Sequence, residues 1–208
     1  AGKITKYVHS GKVLDVGAAA GFILKGFENK GWEGIGVEPN HSMAEYGKNE
    51  VEVNILKGTI ETVELEDTFD LITLIQVVAH IYDLHNSMRR ISGFLKPGGH
   101  VLIETWNKDS LTAQFFGKRW HEYSPPGTLN FFGKKSLDQL MANHGFSIVK
   151  SGHPRKNIHS KHAKSLIKHK FPKPKRLKWL PGITSLFPGN MILPYPAEDL
   201  IWALYKKN

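Results

Sequence analysis

The chain has 208 residues, 40% of them hydrophobic and 11% aromatic, enough to bury one sizeable core and to make one domain with an appendage. No run approaches 18 uncharged apolar residues, no signal pattern opens the chain, and the absence of cysteine excludes disulfides, thiolate nucleophiles and Cys-based zinc sites; the expected setting is cytoplasmic, with peripheral membrane attachment as a variant. The formal net charge of +9 is local: no Asp or Glu occurs from Gln139 to Ala197, and taking the 11 Lys and Arg of that stretch from the 28 in the chain leaves 17 basic against 19 acidic residues elsewhere.

Apolar runs of strand length alternate with longer amphipathic segments. The first strand is expected at "KVLDVG", by Val13, and the chain's opening at Ala1 suggests that an N-terminal segment precedes it in a longer protein. A helix over Phe22 to Lys30 follows, then a strand at "GIGVE", a helix over His41 to Asn49, strands at "VNILKG" and "FDLITLIQ", a helix over Leu84 to Leu95, and a fifth strand at "GGHVLIETW" after the turn Pro97-Gly98-Gly99. Near-continuous apolar runs such as Leu71 to Ile75 suit strands buried on both faces, so the fold class is α/β, a doubly wound, mostly parallel sheet. Ser136 reads as the N-cap of "SLDQLMANHG", which ends at Gly145, and two further strands, "FSIVK" and "DLIWALYKK", are separated by the basic stretch. The expected division is 1–150 with 196–208 as the main domain and 151–195 as a basic insertion.

The loop after the first strand is selective about its ligand. A dinucleotide loop of the GxGxxG type beginning at Gly17 needs glycine at 19 and 22, where this chain has Ala19 and Phe22. A tight turn remains, with Glu38 ending the second strand, where a carboxylate can accept both hydroxyls of a ribose. The pattern points to a nucleoside without a diphosphate.

Asp15-Val16-Gly17-Ala18-Ala19-Ala20-Gly21 resembles the acidic-x-Gly-x-Gly-x-Gly motif of class I S-adenosylmethionine-dependent methyltransferases, with Ala19 for the middle glycine, and Glu38 falls where that family has its ribose-binding acid. "GTIETV" from Gly58 is similar to the family's adenine-holding loop, "FDLITLIQVVAHIYD" to its fourth-strand motif and "LKPGGHVLIETWN" to its fifth. "FFGKRWHEYSPPGTLNFFGKKSLDQLMANHGF" resembles a block of the subgroup that includes quinone-biosynthesis O-methyltransferases. The likeness covers Val13 to Val149 and Asp199 to Lys206. It implies seven strands, the last two antiparallel to the rest, and S-adenosylmethionine held by Asp15, Gly17, Ala18, Ala19, Gly21, Phe22, Glu38, Pro39, Thr59, Ile60, Gln76 and Val77. Three positions depart from the subgroup: Gln76 replaces an Asp, Ala79 a Glu and Thr128 a His.

Methyl transfer from a sulfonium needs an aligned acceptor more than a strong catalyst, although a base helps with a hydroxyl. His80 is the candidate base, since histidine titrates near neutrality, and Trp106, Asn107, Trp120, His121 and Tyr123 are expected near the acceptor. The implied activity is methylation, at oxygen, of a small or lipid-like acceptor. In the insertion, Ile158, His162 and Leu166 fall at spacings of four, as do Ala163, Ile167 and Phe171, predicting an amphipathic helix with Lys on its polar face. It reads as a lid, as a surface for anionic membrane, or as a phosphate-tracking patch for nucleic acid, a reading weakened by sparse aromatics. The rival functions are an RNA or protein methyltransferase and a domain that binds the cofactor without turnover; a nicotinamide dehydrogenase conflicts with Ala19 and Phe22.

Overall fold

In the computed structural model the side-chain alternation of a few strands decides the architecture. Val13 and Leu14, Leu71 and Ile72, and Leu102 and Ile103 are each sequence neighbours that enter different hydrophobic clusters, as period-2 alternation requires of strands covered on both faces. One cluster takes in Leu24 and Phe27 of helix α1 (Phe22–Glu28) and Ala44 of α2 (His41–Tyr46). The other takes in Met88 and Ile91 of α3 (Leu84–Phe94) and Leu137 and Met141 of α5 (Lys134–Asn143). A short helix, α4 (Leu111–Phe116), lies between them in sequence. The structure describes residues 4–154, 156–159, 192–195 and 197–208.

The strands are β1 (Lys12–Val16), β2 (Glu33–Glu38), β3 (Ile55–Lys57), β4 (Phe69–Ile75), β5 (Leu95–Trp106), β6 (Phe146–Gly152), β7 (Lys156–His159), β8 (Ile192–Tyr195) and β9 (Leu200–Lys207). Seven form one sheet in the order β3-β2-β1-β4-β5-β9-β6. Pairings from β3 through β5 are parallel, with the order reversing at β1 and β4, so their carboxyl ends open a crevice at the switch point. The expectation that the last two main-sheet strands are both reversed is corrected: β9 alone is. It pairs antiparallel with β5 and with β6, so β6 runs with the parallel set. The physical reason is connectivity, since β6 follows a helix as a crossover strand, whereas β9 begins at the end of the sheet where β6 stops, Gly152 pairing with Trp202, and runs back between β5 and β6.

The chain divides into two compact units, 1–152 with 198–208, and 153–197. In the second unit, Lys156–His159 is strand, paired antiparallel with Ile192–Tyr195. A helix through Ile158 is therefore overturned, because a ladder partner outweighs four-residue spacing as a local signal. The rest of the expected helix lies within 160–191, outside the described residues.

Helix ends are set locally. Asp83 caps α3 by accepting from Asn86 N at 3.0 Å. Ser136 is not the N-cap of α5: the helix begins at Lys134, and Ser136 Oγ, inside its first turn, accepts from Gly133 N at 3.0 Å. Gly145, at φ 79°, closes the other end. The second helix is shorter than its periodicity and continues as a wider turn over Gly47–Val51.

Candidate functional site

The loop between β1 and α1 is built by its own backbone. Gly17 N and Ala18 N both donate to Val37 O, at 2.8 and 3.1 Å, and Gly21 N returns to Ala18 O at 2.8 Å, folding the loop over the end of β2. Gly17 (φ 68°) has no room for a side chain, since a Cβ there would stand 2.5 Å from Val77 Cγ2. Ala19 adopts φ 47°, the left-handed conformation of the glycine it replaces, at a cost of roughly 1–2 kcal/mol. Gln76, at the end of β4, also has a positive φ (62°). Its Nε2 donates to Glu104 Oε1 at 3.2 Å, and its N–H to Glu104 O at 2.8 Å. Two non-glycine residues in this conformation beside one crevice mark a place where the surroundings hold strain.

Two carboxylates lie under the loop. Glu38, 8% exposed, accepts from Ala19 N at Oε2 and from Asn40 N at Oε1, both at 2.8 Å. Each oxygen keeps a lone pair for a further donor. Asp15, 2% exposed, accepts from Thr73 Oγ1 with one oxygen, while Oδ2 has no partner. Burial pushes the Asp15 carboxyl up to about 6, against the Thr73 hydrogen bond and with help from the charge on Glu38.

A cavity of about 530 Å3 opens at the carboxyl ends of β1, β2 and β4, within the roughly 300–1,000 Å3 usual for small-molecule sites. Of the residues anticipated from sequence, Gly17, Glu38, Pro39, Thr59, Ile60, Gln76, Val77 and His80 line it. Asp15, Ala18, Ala19 and Gly21 stand outside its lining, in or beneath the loop. Phe22, the first residue of α1, is 67% exposed and is no wall of this cavity. Sequence reasoning passed over Glu61, Ile81, Tyr82 and Asp83, which do line it. Asp83 carried a usable signal, a capping aspartate just before an amphipathic run.

His80 is held by a strap from the segment that follows α4. Its Nδ1 is 2.7 Å from Gly127 O, and because a carbonyl only accepts, Nδ1 carries the hydrogen and Nε2 remains the proton-accepting nitrogen. Leu129 N and Asn130 N both donate to Ala79 O at 3.0 Å, and Asn130 Nδ2 donates to Ile81 O at 2.7 Å. Ala79 thus serves the strap through its carbonyl. Thr128, 5% exposed, faces Ser124 Oγ at 3.3 Å and supplies no base. Burial raises the Glu122 carboxyl, with His80 opposing and Asp199 adding to the shift. Trp106 packs edge-on against His121 at 4.6 Å, Tyr123 tilts on Phe131 at 5.2 Å, Trp120 is buried, and Asn107 N donates to Asp199 O at 2.7 Å. None of these expected acceptor-side residues lines the cavity.

A family model described as "Methyltransferase domain" matches residues 5–151. The chain is 29% identical over 146 residues to the ubiquinone biosynthesis O-methyltransferase of Bradyrhizobium sp. (strain ORS 278), covering 62% of this chain and 58% of that protein. It is 28% identical over 155 residues to the human mitochondrial ubiquinone biosynthesis O-methyltransferase, covering 66% of this chain and 42% of that one. The chain thus spans about half the length of these relatives. Among solved structures, the YcgJ protein of Bacillus subtilis superposes with a TM-score of 0.68 at 18% identity, covering 100% of this chain and 97% of that one. An S-adenosylmethionine-dependent methyltransferase of Thermotoga maritima gives 0.65 at 19% identity, covering 99% and 86%. These likenesses show the fold, and the family match, which runs over most of the length and through the whole parallel part of the sheet, makes the chain a member of the class I S-adenosylmethionine-dependent methyltransferases.

Proposed function

We propose that this chain transfers a methyl group from S-adenosylmethionine to an oxygen of a small, lipid-like acceptor, with His80 as the base. The observation that carries the reading is co-location: His80 lines the same cavity as Gly17, Glu38, Thr59 and Ile60. The cavity fits the cofactor by its own features, a glycine floor that a Cβ would fill and a buried carboxylate with lone pairs to spare. Glu38 would take the ribose hydroxyls, Gly17 would let the backbone approach, and Thr59, Ile60 and Pro39 would hold the base. Bound, the cofactor supplies an electrophilic methyl on a sulfonium. The chain's part is then to exclude water, align the acceptor and take its proton at His80 Nε2, and the names of the quinone-pathway relatives favour oxygen as the acceptor atom.

The test is turnover with simple phenols, with and without a prenyl tail. In His80→Gln we expect kcat to fall by about 10²–10⁴, the usual contribution of a general base, with the dissociation constant for S-adenosylmethionine unchanged. An unchanged kcat removes His80 from the chemistry. We also propose that the basic stretch from Lys150 to Lys178 attaches the protein to anionic membrane, which suits a lipid-like acceptor.

A further inference from the structure

His85 and His144 are 59 residues apart in sequence and meet on the surface, with His85 Nδ1 and His144 Nε2 3.0 Å apart. The ring centroids are 5.1 Å apart and tilted by 40°. Neither residue belongs to the cavity. His85 lies in the first turn of α3 and His144 is the C-cap residue of α5. Both helices are anchored in one core cluster, α3 through Met88 and Ile91 and α5 through Leu137 and Met141, so the spacing of the two imidazoles is fixed by packed elements rather than by loops.

We propose that His85 and His144 form a two-histidine site for a borderline divalent transition ion that takes ligands at right angles, Cu(II) or Ni(II). The spacing is that of two adjacent ligands in a square-planar or tetragonal set: bonds of about 2.1 Å at a right angle put their nitrogens about 3.0 Å apart. Imidazole suits both ions, and Cu(II) binds most tightly in the divalent series. Ligation needs both nitrogens bare, whereas the hydrogen bond needs a hydrogen on one of them. In the neutral pair that hydrogen moves to the far nitrogen of its own ring when the ion enters. In a singly protonated pair one proton is released. Among the described residues no third His, Cys, Asp or Glu joins the pair, so the remaining positions fall to water or an outside ligand.

The site crosses from the end of α5 to the start of α3, two residues beyond Asp83, which lines the cavity. An ion there ties the two helix ends together beside the rim without touching the catalytic machinery.

The experiment is titration of the full chain with Cu(II), followed by electron paramagnetic resonance, in wild type, His85→Asn, His144→Asn and the double variant. Asn keeps a polar group on the surface while removing the imidazole, and circular dichroism checks the fold. The expected first equivalent shows coupling to two nitrogens. Each single variant loses that pattern and binds at least about tenfold more weakly, since even outer-shell losses cost 10–100-fold, and the double variant loses nothing more. The chain has 11 His, so weaker equivalents elsewhere persist in all four proteins. A first equivalent that survives in either single variant, or losses that add in the double variant as two separate equivalents, overturns the proposal.

Discussion

Asp15 closes the first strand as a carboxyl group with one oxygen bonded to Thr73 and the other without a partner. Its proton affinity is raised, to about 6 from 3.8, chiefly by burial. The native state therefore holds this proton more tightly than the unfolded chain, and stability falls as pH rises from about 4 to about 6, with the full penalty present at neutral pH. Two units correspond to about 3 kcal/mol, the upper bound for this group. Asp15→Asn keeps an acceptor for Thr73 and removes the charge. We predict that denaturant midpoints measured between pH 4 and 7 show the variant gaining on wild type as pH rises, most of the gain falling below about pH 6. Parallel curves for the two proteins contradict this account of Asp15. Ala19 shows why some of the site was hard to see in the sequence. A glycine-to-alanine change reads as a lost motif position, yet the backbone keeps the glycine conformation because bonds at Gly17, Ala18 and Glu38 hold the loop. Gln76 also read as a departure from the motif, but its bonds to Glu104 on β5, 28 residues on, leave no trace in the local sequence.

Helix α3 organises the cavity from two sides. The residues just before it, Ile81 to Asp83, line one wall. Arg90, on its inner face, donates through Nε to Ile60 O at 2.7 Å and through Nη2 to Val63 O, while Ser87 Oγ donates to Glu61 Oε1 at 2.8 Å. The guanidinium also lies over the Phe94 ring, 5.3 Å from its centre. The loop that carries Gly58 to Glu61 is thus fastened from behind. Arg90→Met loses the fork while keeping much of the packing, and hydrogen bonds from a charged group contribute about 1.5–3 kcal/mol. The expected result is a dissociation constant for S-adenosylmethionine raised about tenfold, with an unchanged circular dichroism spectrum; an unaltered constant would show that the loop holds itself. Periodicity revealed that α3 exists, but not that its arginine reaches back to carbonyls 27 and 30 residues earlier, since such contacts leave no local trace. The start of α5 was misplaced for a related reason. Serine is favoured both as an N-cap and as a first-turn acceptor, and only the backbone at Gly133 separates the two.

Across the whole molecule the parallel strands were legible because burial on both faces makes their sequences nearly continuous in apolar residues. The direction of β6 was not, since either orientation satisfies the same alternation, and pairing with β9 decides it. Charge is likewise uneven on this scale, with all the excess positive charge between Gln139 and Ala197. If the stretch binds membrane, co-sedimentation with anionic vesicles will be strong at low salt, weak with zwitterionic vesicles and screened by added salt; equal binding to both vesicle types rejects the electrostatic reading. The central claim, however, is that the crevice at the β1 and β4 switch point holds S-adenosylmethionine through Glu38. The most direct measurement is calorimetric titration of the chain with S-adenosylmethionine, S-adenosylhomocysteine and NAD, in wild type and in Glu38→Ala. The account predicts saturable binding of both sulfur compounds, loss of that binding in the variant, and no binding of NAD. Failure of the wild-type chain to bind either sulfur compound, or equal binding by Glu38→Ala, would contradict it.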